Sequence, residues 1–508
     1  MHHCQWKCTV NYDETVLLEY PFPYKATRPR VEVVVIDKDH LHRCPGDTPA
    51  ERLLKESEYL RQTHDEWRRF WMDDQPANPK PHRTHGGIGP DPENPYKNIL
   101  KTVRETPQVK AKGVNFAPNM ARLSGDVQSI VGANNQFAFD LYNRLSREDG
   151  NLFFSPYSIS KALAMVYAGA RGDTEREMAN VLHFTLGQDR QHKAFSETRK
   201  LLNGGKGAFA LPNPFRKDVQ LYLSVNLWGQ RGYGFQKDYL NLIRNYYGGE
   251  LQEVDFAAAE PARRQINAWV QQQTRNKIKD LFADGTISSD TRLVLATAIY
   301  FKGDWAKRFK KLTRNDDFWI SADKAVKVPL MNQTDTFGYF GEKDYQALQL
   351  PYQGKNLAMV VLLPNARDGL AKLEKSLTAK MLADCMNGFR EQQVHVWLPR
   401  FKMDTAYDLN RTLSDLGMDK AFGAGADFGG MNGGQHKLVI NKVAHKAFVE
   451  VNEQGTEAAA ATGVEMELTA PRVAPPSPPV IRADHPFLFA IVDQSTGLIL
   501  FLGRVTKP

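Results

Sequence analysis

The sequence predicts an α+β fold for most of the chain, on three observations. Segments with helical spacing come first and apolar or alternating strand segments come later, which argues against a doubly wound βαβ sheet. Apolar residues are 42% and charged residues 24% of 508, ordinary for a globular chain long enough to bury a large core. No run of eighteen apolar residues occurs, so no membrane-spanning helix is expected.

Three regions separate along the chain. Residues 1–75 read as a small folded module of unknown role. In it, Val31–Ile36 has the β-branched character of a strand. Thr48-Pro49-Ala50-Glu51 then opens a helix with a threonine cap, proline at the first position and glutamate at the third. Leu53, Leu54, Leu60, Trp67, Phe70 and Trp71 give that helix an apolar stripe. From Gln75 to Tyr96 the chain is rich in Pro, Gly, His and Asn and cannot bury enough apolar surface to offset its ordering entropy, so residues 76–120 read as a linker. Residues 121–508 read as one large domain. Its early helices include Gln136–Arg147, with Phe137, Leu141 and Leu145 at helical spacing. Its strands include Leu293–Phe301, Leu357–Leu363, Val394–Leu398, His445–Val451 and Phe487–Val492.

Charge and cysteines exclude several classes. The net charge is +8 and the isoelectric point about 9.0, but lysine and arginine are dispersed, which fits a solvated basic surface; no nucleic-acid partner is expected. Lys193, Arg199, Lys200 and Lys206 are the nearest approach to a polyanion site and form no dense stripe. The four cysteines make no disulfide scaffold. Cys4, Cys8, His40, His42 and Cys44 offer thiolate and imidazole ligands, but their spacing fits no standard zinc site, so neither metal nor cofactor is expected. GxSxG, HExxH and complete phosphate-loop signatures are missing, so the chain does not read as an enzyme. No secretory leader is visible at Met1–Val10; extracellular and cytoplasmic settings both stay open, and the sequons at Asn332 and Asn410 matter only in the first.

One segment carries chemistry. In residues 453–469, Thr456, Ala458, Ala460, Thr462, Val464, Met466 and Leu468 are small or apolar, alternating with Glu457, Ala459, Ala461, Gly463, Glu465 and Glu467. A period of two over thirteen residues describes a strand with one buried and one wet face. Yet Pro471, Pro475, Pro476, Pro478 and Pro479 follow, and they cannot continue a central strand. The segment therefore reads as a loop able to become a strand, with Gly455 as a permissive hinge. An alanine-rich surface helix is the plainer alternative.

The run HKAFVEVNEQGTEAAAAT (445–462) resembles the reactive-loop hinge of the serpin family. NLFFSPYSISKALAMVYAGARGDT (151–174), TRLVLATAIYFKGDW (291–305), LPYQGKNLAMVVLLP (350–364), VWLPRFKM (396–403) and HPFLFAIVDQSTGLILFLGRV (485–505) resemble further family segments, in order, from about residue 130 to the end. The resemblance implies the serpin fold: a large central, mostly antiparallel sheet, further sheets, about eight or nine helices and an exposed reactive loop. It also implies a monomeric suicide-substrate inhibitor of serine, or else cysteine, proteases. The target's nucleophile forms an acyl-enzyme with the loop; the cleaved loop then enters the central sheet and traps the protease. A non-inhibitory carrier or chaperone is the alternative.

By the same resemblance Glu453, Gly455, Thr456, Glu457, Ala458, Ala459, Ala460, Ala461 and Thr462 form the hinge. Ser155, Ser158 and His445 fall in the polar cluster beneath the opening sheet, and Trp305 falls at its top. Taken alone, Ser155 reads equally as a helix cap and His445 as a core histidine. Family spacing from Gly455 points to Thr469–Ala470 as the reactive bond, which suits an elastase-like or subtilisin-like protease. Arg472–Val473 is the alternative and suits a trypsin-like one. The sequence departs from the family at Thr297, where asparagine is usual, and in a longer proline-rich stretch after the reactive bond.

Overall fold

The computed structural model describes residues 7–10, 16–19, 123–204, 219–309, 313–354, 356–456 and 478–508. Contacts along the chain divide it into two units, Met1–Gly113 and Val114–Pro508. In the first, β1 (Lys7–Val10) and β2 (Val16–Glu19) pair antiparallel. The strand expected at 31–36, the helix expected from Thr48, the linker, and Cys4, His40, His42 and Cys44 lie outside the described residues. So do Lys206, Glu457–Thr462, Thr469, Ala470, Arg472 and Val473.

The second unit begins with α1 (Gly125–Leu145), β3 (Leu152–Phe154), α2 (Pro156–Tyr167), α3 (Gly172–Val181) and α4 (Gln188–Gly204). Next come β4 (Val219–Gln230), α5 (Lys237–Leu242) running into a π turn (Ile243–Tyr247), β5 (Glu250–Val254), α6 (Ala259–Gln273) and β6 (Leu293–Asp304). The strands β7 (Arg314–Trp319), β8 (Ala325–Gly341), β9 (Tyr345–Pro351) and β10 (Leu357–Pro364) follow, then α7 (Leu370–Ser376) and α8 (Ala379–Gly388). After β11 (Arg390–Pro399) and β12 (Phe401–Asp408) come α9 (Asn410–Asp415), the 3-10 turn Lys420–Phe422 and α10 (Gly429–Asn432). The chain closes with β13 (Lys442–Val451), β14 (Gly455–Thr456), β15 (Val480–Arg482), β16 (Phe487–Asp493) and β17 (Ile499–Val505).

Helices crowd the first half and strands the second, as the α+β reading expects; the described residues hold ten α-helical segments, slightly more than the eight or nine expected. The expected strands recur with longer ends. The first helix starts well before Gln136, because Ser124 caps it and Val127, Ile130 and Val131 continue its buried face.

Two large sheets organise the unit. A six-stranded sheet runs β12-β13-β14-β6-β4-β5, and a nine-stranded one runs β15-β11-β8-β9-β10-β16-β17-β3 with β7 on β8. β6 is an apolar run because both of its faces are covered. Leu295, Ile299 and Phe301 pack into the main core with Phe153 and Phe501. Val294 and Ala296 pack on the other side with Ile266 and Trp228. Every residue of α2 is buried, as expected of a helix wedged inside a domain with no wet face.

Candidate functional site

The site is a seam in the six-stranded sheet. β13 and β6 pair directly and in parallel from Lys442↔Val294 to Phe448↔Tyr300. Above Phe448 they part, and β14 lies between them. Gly455 pairs with Asp304, and Thr456 pairs with Gly303 on one side and Val451 on the other, antiparallel to both strands. The chain reverses through a turn in which the Asn452 amide donates to the Gly455 carbonyl at 2.8 Å and Asn452 Oδ1 accepts the Gln454 amide at 3.0 Å.

Glycine is required at 455. Its φ is +157°, and a Cβ there would stand 2.0 Å from the Gly303 carbonyl oxygen, a backbone atom with nowhere to go. Glu453 clamps the turn from outside. Its carboxylate accepts from Arg400 Nε at 2.8 and 2.9 Å and from Thr313 Oγ1. Burial alone would raise its pKa, but the Arg400 and Thr313 hydrogen bonds hold it below the usual carboxylate value.

Trp305 stands where the two strands part. It is fully buried and stacks on Tyr352 with ring centroids 4.7 Å apart. Its indole Nε1 donates to the Asn452 carbonyl at 2.9 Å, and its backbone amide donates to the Gln454 carbonyl at 2.8 Å. Tyr352 and Thr456 share a buried hydroxyl contact of 3.0 Å. One aromatic pair thus holds Asn452, Gln454 and Thr456.

Below the seam sits the polar cluster. Ser155 caps α2, its Oγ accepting the Ser158 amide at 3.2 Å, and Ser158 Oγ donates to the Ser155 carbonyl at 3.1 Å. The Ser155 amide donates to His445 Nε2 at 3.0 Å, so Nε2 is an acceptor and the ring proton resides on Nδ1. Nδ1 then donates to Thr297 Oγ1 at 2.9 Å, and that hydroxyl donates to the Ala444 carbonyl at 3.0 Å. Burial drives the His445 pKa down to about 3, so the ring is neutral at physiological pH. Threonine at 297, where the serpins this sequence resembles usually carry asparagine, leaves the seam hydrogen-bonded.

The structure therefore brings Ser155, Ser158 and His445 into one cluster and places Trp305 against Asn452–Thr456, within the segment expected to be the hinge. Ser155 is both helix cap and cluster member. The sequence alone does not single out Tyr352, Arg400, Thr313, Asn452 or Gly303. The segment 350–364 that holds Tyr352 is legible as a family segment, but its pairing with Thr456 is set by tertiary structure. Of the dispersed basic residues, Lys193 and Lys200 are exposed on α4, and Arg199 is half-buried with Nη2 donating to the Asn245 carbonyl at 3.2 Å. Among the described residues no group of three metal-binding side chains occurs, and no helix is long and apolar enough to cross a membrane.

Comparison with known proteins converges on one family. The sequence model described as "Serpin (serine protease inhibitor)" matches residues 132–508. An uncharacterized serpin-like protein of Thermococcus kodakarensis is 42% identical over 387 residues, covering 76% of this chain and 87% of its own. The leukocyte elastase inhibitor of Sus scrofa is 40% identical over 394 residues, covering 75% of this chain and all of its own. The crystal structure of human thyroxine-binding globulin superposes with a TM-score of 0.67 at 30% identity, covering 76% of this chain and 100% of its own.

Proposed function

The chain belongs to the serpin (serine protease inhibitor) family, which is not a family of enzymes, and on that basis we propose that it is a suicide-substrate inhibitor that traps its protease by loop insertion. The observation that carries this reading is β14. Gly455 and Thr456 already occupy the position of an additional central strand, antiparallel to both neighbours.

The register supports continuation of that strand. Extending the pairing of Thr456 downward sets Ala458 between Val449 and Phe301, and Ala460 between Ala447 and Ile299. Thr462 then arrives between His445 and Thr297. These neighbours are themselves at one level across the parallel seam, so a strand entering between them needs no shift of register. Its inward residues are alanine where the flanking side chains are apolar, and threonine where they are polar. Small residues can enter a close-packed core without the cost of overpacking.

In this reading the protease attacks the bond Thr469–Ala470, with Arg472–Val473 as the alternative. The acyl-enzyme forms on the new carboxyl end of the loop. Severing the loop frees its hinge side to replace the single β6–β13 seam with two antiparallel ladders, carrying the bound enzyme away before deacylation. Elastase-like or subtilisin-like enzymes fit a threonine at the reactive bond, and a trypsin-like enzyme fits the arginine. The similarity to an elastase inhibitor supports the first. A carrier role is the second reading, favoured by the likeness to thyroxine-binding globulin. The small inward face of residues 456–462 supports inhibition over it.

Incubation with pancreatic elastase, subtilisin and trypsin, followed by denaturing electrophoresis and mass spectrometry of the released peptide, tests the proposal. A complex that survives boiling in detergent, with a peptide beginning at Ala470 or Val473, is expected. Complete loop cleavage by all three enzymes without such a complex would sink the inhibitor reading.

A further inference from the structure

A charged residue sits on a helix that has no wet face. Lys161 is the one charged residue of α2 and is 8% exposed. Among the described residues no carboxylate pairs with it and no acceptor bonds its ammonium. Burial and the nearby Arg199 lower its pKa to about 8, still above neutrality, so it remains cationic at pH 7.

A second cation faces the same place. Arg199 on α4 has no carboxylate partner among the described residues, and its Nε is buried without an acceptor. Its charge acts on both Lys161 and Tyr157, which lie one turn apart on α2. The turn after the π turn brings the two helices together. A Cβ at Gly248 would stand 2.8 Å from Arg199 Nη1, and one at Gly249 would stand 2.4 Å from Met165 Cε; Met165 is one turn beyond Lys161. The φ of +59° at Gly248 also favours glycine. These two glycines let the backbone approach both cationic helices closely.

A buried cation beside a half-buried one, with no carboxylate partner among the described residues, is costly, because desolvation of Lys161 and mutual repulsion act together. A bound anion removes both penalties and gives the orphaned Nε–H an acceptor. We propose that Lys161 and Arg199 form a binding site for one small oxyanion of the phosphate class, seated between α2, α4 and the Gly248–Gly249 turn. The low exposure of Lys161 argues for a free ion over a phosphate carried on a large molecule. This inference is independent of the inhibitor reading, since none of its residues belongs to the hinge or the seam.

Thermal melting of the full chain in sodium phosphate against sodium chloride, at equal ionic strength and pH 7, tests it. Wild type should gain roughly 2 °C once phosphate exceeds about ten times its Kd, and Lys161→Met and Arg199→Gln should lose that gain. Broadening of the 31P resonance of inorganic phosphate by wild type, and not by Arg199→Gln, gives the same comparison should Lys161→Met fail to fold. No phosphate-specific gain in wild type, or an equal gain in wild type and both variants, would overturn the site. A larger shift with adenosine monophosphate than with phosphate would overturn its restriction to a small free ion.

Discussion

Thr297 and His445 face each other across the parallel seam of the central sheet, joined by a 2.9 Å hydrogen bond from imidazole Nδ1 to the threonine hydroxyl. Their backbones are ladder partners, so any strand that enters the seam must part them. The same imidazole accepts the Ser155 amide, which ties the seam to the cap of the buried helix α2. A loop strand in the register of β14 would bring Thr462 to this level, offering a hydroxyl to the groups it separates.

This arrangement sets a pH dependence. His445 has its pKa lowered from 6.5 to about 3 by burial, so the unfolded chain binds the proton more readily than the folded one. The contribution to stability is therefore complete above about pH 6.5 and is lost as pH falls toward 3, at about 1.4 kcal/mol per pH unit through the middle of that window. Protonation at Nε2 would also abolish the acceptor for the Ser155 amide. Melting curves from pH 7 to pH 4 should fall more steeply for wild type than for His445→Gln, whose amide bonds without titrating. Burial lowers His192 to about 4 as well, so the difference between the two proteins is the readout. Parallel slopes would refute the assignment.

Gly455→Ala should unseat the hinge. The new methyl would collide with the Gly303 carbonyl oxygen, and its φ of +157° disfavours any side chain. Strain of this kind costs on the order of 1–3 kcal/mol, and moving β14 out of the sheet relieves it. Hydrogen exchange at the Trp305 amide, bonded to the Gln454 carbonyl at 2.8 Å, should accelerate at least tenfold. Unchanged protection there would show that the hinge tolerates a side chain.

Much of this is legible in the amino-acid sequence. The alternation from Thr456 onward is readable because the period of side-chain direction is local, and Gly455 and Thr456, at its start, form a strand in the structure. Ser155, Ser158, His445 and Trp305 stand out through the order of family segments, not through their own chemistry, since each has an ordinary structural reading alone. What the sequence hides depends on long-range pairing. Glu453 and Arg400 are 53 residues apart, and Tyr352 and Thr456 are 104 apart, so no local pattern couples them. Lys161 lies within a family segment, and that no carboxylate among the described residues pairs with it emerges only when every side of α2 is seen to be covered.

Glu453→Gln should loosen the top of the sheet while leaving the hinge sequence otherwise intact. The change removes the charge that pairs with Arg400 and retains the bond to Thr313. A hydrogen bond to a charged group contributes about 1.5–3 kcal/mol, and because Arg400 is half-exposed the lower end applies. The melting temperature should fall by a few degrees in thermal denaturation followed by circular dichroism. Arg400→Lys should give a smaller effect, since it keeps the charge and loses the two-pronged geometry. Equal loss in both variants would indicate that charge is not what holds the turn.

Thr456→Arg separates insertion from every other property of the loop. Thr456 is fully buried and directed at Tyr352 and the Trp305 stack, where a guanidinium would have neither water nor a carboxylate. Placing an unpaired charge there costs several kcal/mol, so the variant should keep its hinge outside the sheet both before and after cleavage. The proposed reactive bond, Thr469–Ala470 or Arg472–Val473, is untouched by the substitution, so cleavage itself should persist. The expected outcome is a switch from inhibitor to substrate: the detergent-stable complex disappears, the loop is cut at the wild-type bond, and the gain in melting temperature on cleavage is abolished. Thr456→Ser should behave as wild type, since it retains the hydroxyl contact to Tyr352. A covalent complex formed as efficiently by Thr456→Arg as by wild type would mean that the protease is held by something other than strand insertion.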